Sequence, residues 1–142
     1  LVEDAPAFRS RITLATSYCL GAWRGADLLG YVLAHGWRRH APPPVGAVLG
    51  DGARNEVLYI HDLAIAPAGR GSRTGERLVA SAMALAAKDG LREAELIAVE
   101  GAADYWRRLG FVERAVAAEP QAKLATYGAL ARFMTASIPH AG

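Results

Sequence analysis

The sequence contains very little cysteine, no large excess of charge of either sign and no long apolar run. Cys19 is the only cysteine among 142 residues, which excludes an internal disulfide framework and any zinc site built from cysteines. No apolar run approaches the roughly 18 to 20 residues that a membrane-spanning helix requires, and the formal net charge is only +2. We therefore expect a cytoplasmic protein without a metal, whose partners include neither membranes nor nucleic acids.

The composition is typical of a globular protein with a substantial core. Hydrophobic residues make up 52% of the chain and charged residues make up 21%. A chain of 142 residues is too short for two ordinary domains. We therefore expect one domain over residues 1–142.

Hydrophobic periodicity and turn residues predict an α/β protein built around a mixed sheet. The stretches "SYCLGAW" and "LLGYVLAHGW" are apolar and β-rich, and the turn-like "RGAD" between them predicts an antiparallel hairpin. The predicted elements, in chain order, are a helix over 4–16, the hairpin over 17–37, a strand over 56–66, a helix over 75–90, a strand over 94–99, a short helix over 102–109 and strands over 111–116 and 124–134.

The stretch "EVLYIHDLAIA" is the clearest strand of the sequence. Strict alternation puts Tyr59, His61 and Leu63 on one face and Ile60 and Asp62 on the other. Both faces are largely apolar, which is typical of a central strand that is covered on both sides. For Asp62, a buried carboxylate that caps a loop is favoured over a catalytic group.

The turn "GRGSRTGERL", residues 69–78, places three glycines and three arginines at the start of the predicted 75–90 helix. A glycine-bearing turn that opens a helix presents unpaired backbone N–H groups and the positive end of the helix dipole, and such turns bind phosphate. The spacing matches neither a dinucleotide-binding fingerprint nor a Walker loop. Taken by itself, the turn is equally compatible with a phosphate site and with a solvated basic loop.

The stretch "LAIAPAGRGSRTGERL", followed by a strand and then by "YWRRLGF", resembles the GNAT family of acetyl-coenzyme A dependent N-acetyltransferases. In that family a hydrophobic strand end is followed by Arg/Gln-x-x-Gly-x-Gly/Ala at the start of a long helix, and a short helix ending in Leu-Gly-Phe comes later. The corresponding pieces here are 63–65, 70–75 and 109–111. The resemblance covers roughly residues 17–116, in matching order and spacing.

The resemblance implies the GNAT acyltransferase fold, a mixed, mostly antiparallel sheet flanked by helices and splayed after the fourth family strand. It implies acetyl coenzyme A as cosubstrate, with the acetyl-pantetheine arm bonded to backbone in the splay and the pyrophosphate on N–H groups of the turn. The expected cofactor contacts are Leu63, Ala64, Ile65, Arg70, Gly71, Ser72, Arg73, Thr74, Gly75 and Glu76. The region ahead of residue 17 has room for only one helix, so either the first family strand and helix are missing or the chain is a shortened variant.

Three positions depart from the family pattern. Arg73 stands where the pattern has its first glycine, and Trp106 stands where the family usually has a tyrosine that protonates the departing thiolate. The helper asparagine of the family is also absent, with "AVEG" in its place. The neighbouring Tyr105 is therefore the candidate acid.

Direct acetyl transfer also needs a hydrogen-bond donor for the developing oxyanion and a base for the amine. The resemblance makes the Leu63 N–H the donor, because a splayed strand leaves that amide unpaired. His61 is the candidate base, since it lies on the strand face that the family uses and histidine titrates near neutrality. A core histidine hydrogen-bonded within the sheet is an equally good interpretation.

We expect an N-acetyltransferase that acetylates a primary amine of a small molecule or peptide. One alternative is a catalytically weak acyl-coenzyme A binding or sensing module, and a third hypothesis is a nucleic-acid binder that uses the arginine-rich turn. Within "GWRRHAPPPVGAVLG", Trp37, Arg38, Arg39 and His40 would give the acceptor site a basic wall that suits a carboxylate, although a solvated loop is favoured. The family resemblance also allows a homodimer.

Overall fold

Six strands and two α-helices form the part of the molecule that the structure describes. The computed structural model describes residues 17–40, 56–99, 101–115 and 130–139. In chain order the elements are β1 (Leu20–Arg24), β2 (Asp27–Trp37), β3 (Val57–Ile65), a one-turn 3-10 helix (Pro67–Gly69), α1 (Thr74–Lys88), β4 (Glu93–Ala98), α2 (Ala103–Arg108), β5 (Val112–Glu113) and β6 (Arg132–Ser137).

The strands form one mixed sheet in the order β1-β2-β3-β4-β6-β5. β3 and β4 are parallel, and every other neighbouring pair is antiparallel. β1 and β2 form the predicted hairpin, in which Gly25 has a φ of +60° that favours glycine. The predicted α/β class with a mixed, mostly antiparallel sheet is confirmed.

The structure places the last two strands differently from the prediction. β6 begins and ends later than the predicted 124–134, because the polar Thr135 and Ser137 belong to the strand and interrupt its apolar pattern in the sequence. β5 is shorter than the predicted 111–116, since Phe111 is buried and its N–H donates to the Trp106 carbonyl oxygen at the end of α2. The predicted helix over 4–16 and residues 124–129 lie outside the described residues.

A β-bulge at His61 interrupts the alternation of β3. Leu33 of β2 pairs with Asp62, and its neighbour Ala34 pairs with Ile60, so His61 is one extra residue on β3. An extra residue shifts every later side chain to the other face of the strand. The predicted strict alternation is therefore wrong beyond Ile60.

The bulge sorts the end of β3 into a helix-facing side and an opposite side. Leu63 and Ile65 pack against the same core cluster as Ile60, on the face that α1 covers. Asp62 lies on the opposite face, where the Tyr31 hydroxyl donates to its carboxylate at 3.4 Å. The side chains of Leu63 and Ile65 therefore lie near the N-terminus of α1. Strict alternation would place them on the opposite face of the sheet.

β3 and β4 pair only along their first halves. The parallel pairing runs from Leu58 and Ala94 to Ile60 and Leu96, whereas β3 continues to Ile65. β4 stays paired with β6 as far as Ala98. The predicted splay is confirmed, and it opens a gap beside the last residues of β3.

The main core lies between α1 and one face of the sheet. Apolar side chains of α1 recur at helical spacing, which gives the helix one buried stripe. This stripe consists of Leu78, Val79, Ala82 and Ala86, and it packs on sheet residues that include Val32, Leu58, Leu96 and Met134. Within the described segments, no helix has the length and apolar character needed to cross a membrane. The packing of α1 directs its N-terminus toward the gap beside β3.

Candidate active site

A cavity of about 620 Å³ lies where the end of β3, the start of α1 and helix α2 meet. Cavities of about 300 to 1,000 Å³ commonly hold small-molecule ligands and cofactors. Eight of the ten predicted cofactor contacts line it, namely Leu63, Ile65, Arg70, Gly71, Arg73, Thr74, Gly75 and Glu76. The structure therefore brings together two segments that the sequence analysis singled out, and adds α2 to them.

The open edge of β3 presents backbone groups to the gap. The Ala66 N–H donates to the Leu29 carbonyl oxygen of β2 at 2.8 Å. Because successive amides of a strand point to opposite edges, the amides of Ile65 and Leu63 point away from β2, toward the gap. The Ala64 amide points toward β2, which explains why Ala64 does not line the cavity.

The turn between β3 and α1 has a backbone that depends on glycine. A Cβ atom at Gly69 would lie 2.6 Å from the Leu29 carbonyl oxygen, so this residue packs directly on β2. Gly71 has a φ of +82°, which glycine adopts without strain. The Ser72 hydroxyl donates to the Gly69 carbonyl oxygen at 3.0 Å and lies 2.9 Å from the Thr74 hydroxyl. Ser72 therefore closes the turn, and it lines a separate cavity beside β1.

The N-terminus of α1 can hold an anion. No side chain caps it in the described structure. The first bond of the helix runs from the Arg77 N–H to the Arg73 carbonyl oxygen at 3.0 Å, so the N–H groups of Thr74, Gly75 and Glu76 have no partner within the helix. Such amides, together with the helix dipole, bind phosphate groups.

Arg73 precedes α1 in a left-handed conformation, with φ 59° and ψ 28°. Residues other than glycine adopt this conformation with strain. The Arg73 side chain is 81% exposed and approaches Glu76 at 4.0 Å. The left-handed backbone is a physical reason for the glycine that the family pattern has at this position.

Replacing Arg73 with glycine should therefore stabilise the protein. A left-handed residue with a side chain is strained by roughly 1 to 2 kcal/mol, and the extra freedom of glycine in the unfolded chain offsets about 0.5 to 1 kcal/mol of that. We expect Arg73→Gly to raise the free energy of unfolding by about 0.5 to 1 kcal/mol, measured by urea denaturation. Arg73→Lys is the matched control because it keeps both charge and strain, and equal stability of the two variants would contradict the prediction.

Helix α2 turns the neighbouring residues Tyr105 and Trp106 in different directions. Trp106 is buried, and its ring centroid lies 5.4 Å from that of Phe111. The Tyr105 hydroxyl lies so close to Gly75 that a Cβ atom at this glycine would collide with it. The same Cβ position is 3.5 Å from Leu63, which places the phenol beside the open end of β3.

The surroundings of Tyr105 keep its hydroxyl protonated. Partial burial raises its pKa above the usual value of a tyrosine, and the Glu76 carboxylate raises it further. The Arg108 guanidinium, 5.8 Å from the centre of the ring, opposes this shift and lowers the pKa. The net effect is a raised pKa, so that the hydroxyl carries a proton at neutral pH.

The structure does not bring His61 to the cavity. Its ring centroid lies 6.3 Å from that of Tyr59, a residue on the face opposite α1, and His61 is partly buried. Asp62 lies on the same side, and burial together with this carboxylate raises the pKa of Tyr31. The prediction that Asp62 is a buried cap on the face opposite His61 is wrong: the bulge changes its face, and the side chain is exposed.

Two of the basic residues after β2 are already paired. Arg39 lies 3.4 Å from Glu93, and the His40 imidazole lies 3.4 Å from Glu95. Burial raises the pKa of Glu95 to about 8, although the His40 backbone N–H lowers it by donating to the carboxylate. Arg39 and His40 therefore face carboxylates of β4, and residues 41–50 of the predicted acceptor wall lie outside the described residues.

Four residues of the cavity were not among the predicted contacts: Gly69, Trp106, Arg108 and Leu109. Tyr105, Arg108 and Leu109 are spaced i, i+3 and i+4, which places them on one face of a helix. That spacing was available in the sequence. If Tyr105 faces the cavity, helical periodicity predicts that Arg108 and Leu109 face it too.

Solved structures of acetyltransferases share this fold. Nourseothricin acetyltransferase superposes with a TM-score of 0.63 and 22% identity, covering 88% of this chain and 67% of its own. The ribosomal-protein-S18-alanine N-acetyltransferase from Escherichia coli gives a TM-score of 0.65 and 14% identity, covering 95% of this chain and 77% of its own. N-acetylglutamate synthase from Neisseria gonorrhoeae, complexed with coenzyme A and N-acetyl-glutamate, gives 0.72 and 12%, covering 99% of this chain and 29% of its own.

Sequence comparison adds the family to the fold. No curated protein matches the chain significantly. The sequence model of the acetyltransferase (GNAT) family matches residues 2–111, which include β3, the glycine-bearing turn, α1 and α2. Since this match spans well over half of the chain and contains the cavity described above, the chain belongs to the GNAT family of acetyltransferases.

Proposed function

We propose that the protein transfers the acetyl group of acetyl coenzyme A directly to a primary amine of a small molecule or peptide. One observation carries this proposal: a single cavity joins the open edge of β3 to the uncapped N-terminus of α1, with the Tyr105 hydroxyl next to both. An extended arm that contains amides can bond to the open edge of a strand, and a phosphate group can bond to the N–H groups at the start of a helix.

The residues of the cavity fit coenzyme A. The N–H groups of Thr74, Gly75 and Glu76 would hold the pyrophosphate, and the absence of a Cβ at Gly75 leaves space beside them. Arg70 and Arg108 also line the cavity and add positive charge. The backbone of Leu63 and Ile65 would hold the pantetheine arm, as an added strand is held by a sheet edge.

When bound, acetyl coenzyme A supplies the activated acyl group. The Leu63 N–H would donate to an oxygen that gains negative charge at the end of β3. Tyr105 holds a proton that it can donate to the departing sulfur. His61 is proposed to take the amine proton through a bridging water, because its ring does not line the cavity.

A second candidate function is a catalytically weak acyl-coenzyme A binding module. The position of His61 favours it, since the lining of the cavity includes no histidine. Such a protein would bind the cofactor through the same backbone groups but would release coenzyme A no faster than in solution. Binding and turnover must therefore be measured separately.

The proposal is tested by calorimetric titration with acetyl coenzyme A, followed by a turnover assay for free coenzyme A. The amine panel contains nourseothricin, glutamate and a peptide that begins with alanine, acceptors suggested by the names of the three structural neighbours. We expect an exothermic isotherm and, at about a hundredfold excess over the dissociation constant, about 2.7 kcal/mol of added stability. Turnover above the uncatalysed rate with any amine would exclude the binding module, whereas absence of binding to a folded protein would refute both.

The role of His61 is tested in the same assay. If His61 is the base, kcat/KM of the wild type falls as the pH decreases through the histidine pKa, because the protonated ring cannot accept a proton. His61→Gln should lose this acid limb. A variant that keeps both the rate and the acid limb would show that another group takes the proton.

A further inference from the structure

Three metal-ligating side chains come together at the end of β2, outside the cavity. The Nε2 atom of His40 lies 3.4 Å from Oε2 of Glu95 and 3.6 Å from Oε1 of Glu93. One ligand atom from each of the three residues falls within 4.8 Å of the others. We call this group the His40 cluster; none of its members lines the cavity.

The position of the two glutamates in β4 makes their negative charge unusual. Ala94 and Leu96 of β4 pack in the core under α1, so the alternating Glu93 and Glu95 lie on the opposite face of the sheet. The Glu95 side chain is fully buried, with 0% of its surface exposed. Two adjacent carboxyl groups at such a site must either bind protons, as the raised pKa of Glu95 indicates, or have their charge compensated by a cation.

The Arg39 guanidinium contacts one oxygen of Glu93 and leaves the other without a contact to this cation. Arg39 approaches the Oε2 atom of Glu93 at 3.4 Å. The other oxygen of Glu93, Oε1, is buried, has no hydrogen-bond partner in the described structure and lies 3.6 Å from Nε2 of His40. An acceptor atom therefore points into the space that the imidazole and Glu95 also face.

The two distances from His40 Nε2, 3.4 Å to Glu95 and 3.6 Å to Glu93, lie close to the ligand spacing of a tetrahedral metal site. Ligand bonds of about 2.0 to 2.1 Å at tetrahedral angles separate neighbouring ligand atoms by about 3.3 to 3.4 Å. We propose that His40, Glu93 and Glu95 bind a divalent metal ion of the zinc type, which joins the segment after β2 to β4. One imidazole and two carboxylates are ligands that zinc accepts, and three protein ligands leave the fourth position for a water.

The backbone of His40 is held in the orientation that this site needs. His40 has a φ of 54°, a left-handed conformation that is strained for a residue with a side chain. In this conformation its N–H donates to both oxygens of Glu95, at 3.0 and 3.2 Å, while its ring faces the same carboxylate. The backbone bond orients Glu95, and the ring supplies the nitrogen ligand.

A metal ion here would act on structure rather than on the reaction. β3 lies between β2 and β4 in the sheet, so the chain after β2 reaches Glu95 by passing over the start of β3. The ion would fix this crossing segment to β4. We expected no metal because the single cysteine excludes zinc sites built from cysteines. The ligands proposed here stand 53 and 55 residues from His40 (93 − 40 and 95 − 40), without the close spacing that marks zinc motifs.

The proposal is tested with Zn²⁺ on untagged protein, by calorimetry and by thermal unfolding. We expect one ion per chain and a zinc-dependent rise of several degrees in the midpoint. His40→Asn is the informative variant, because asparagine tolerates the left-handed backbone but lacks the imidazole. We expect both His40→Asn and Glu95→Gln to weaken zinc binding by more than roughly 10- to 100-fold, which is the cost of losing a group that only hydrogen-bonds to a metal ligand.

Glu56→Gln is the matched control, since Glu56 accepts the Arg39 N–H at 2.9 Å but lies outside the His40 cluster. It should bind zinc as the wild type does. Co²⁺ gives a second readout, because its visible absorption reports the number of ligands. No binding of either ion, or equal binding by the wild type and His40→Asn, would overturn the proposal and show that the site holds only protons. Neither outcome would bear on the acetyl-transfer proposal, which is measured by cofactor binding and turnover.

Discussion

Tyr105→Phe is expected to lower kcat by about 10²- to 10⁴-fold, the range in which a general acid contributes, while the affinity for acetyl coenzyme A stays close to that of the wild type. The phenyl ring of the variant would continue to fill most of the space beside Gly75, so that only the proton donor is removed. Without a donor, the sulfur would leave as an unprotonated thiolate, which raises the barrier of the transfer.

The pH dependence gives this prediction a second readout. Burial and Glu76 raise the pKa of Tyr105, so the protonated acid persists to a higher pH than in an ordinary tyrosine. We therefore expect the alkaline fall in the kcat of the wild type to come at a higher pH than an ordinary tyrosine would give, and we expect Tyr105→Phe to lack this alkaline limb. The measurement is the steady-state rate of coenzyme A release across pH.

Tyr31→Phe is the matched control for Tyr105→Phe. It also removes one phenolic hydroxyl, but that hydroxyl bonds Asp62 on the exposed side of the sheet, away from the cavity. We expect its kcat to remain near the wild-type value. A Tyr105→Phe variant with full kcat and an unchanged alkaline limb would remove Tyr105 from the mechanism.

Gly75→Val is expected to weaken acetyl coenzyme A binding by about 100-fold or more. A side chain at this position would collide with the Tyr105 hydroxyl and extend toward Leu63 and Ile65, the surfaces proposed for the cofactor. Losing one or two charge-assisted hydrogen bonds of about 1.5 to 3 kcal/mol each corresponds to a loss of this size, since about 1.4 kcal/mol is tenfold in affinity.

The fold should survive this substitution. Gly75 does not have a positive φ, and valine is the better residue in a helix by a few tenths of a kcal/mol. We expect the free energy of unfolding of Gly75→Val to stay within about 1 kcal/mol of that of the wild type, measured by urea denaturation beside calorimetric titration with the cofactor. Ala80→Val introduces the same side chain at an exposed position of α1 and should bind normally. Normal binding by Gly75→Val would place the cofactor elsewhere.

The main elements of the fold could be predicted because their signals are local. The hairpin of β1 and β2, the helix α1 and the strand β4 each show a period or a turn that a single segment displays, and their observed bounds differ from the predicted ones by only a few residues. The glycine-bearing turn could also be predicted, because its backbone requires glycine at two positions. Gly71 has a left-handed conformation, and Gly69 packs directly on β2.

The sequence predicted the part of the candidate site that consists of backbone N–H groups better than the part that consists of side chains. The N–H groups of the turn and of Leu63 belong to segments with a recognisable pattern. The side-chain chemistry was harder: Trp106 and Tyr105 are neighbours in the sequence and both line the cavity. Only the structure shows that the Trp106 ring is buried against Phe111 while the Tyr105 hydroxyl lies beside Gly75. The direction of His61 was equally hidden, because the bulge that displaces it results from the pairing of β3 with β2.

The family, the order of the elements and the glycine-bearing turn could be recognised from the sequence alone, because each follows from residues close together in the chain. Only the folded structure shows the bulge at His61, the approach of the Tyr105 hydroxyl to Gly75 and the meeting of His40 with Glu93 and Glu95. Each of these depends on contacts between segments that are far apart in the chain. Such contacts are set by the pairing of strands and the packing of helices on the sheet, which no local pattern specifies.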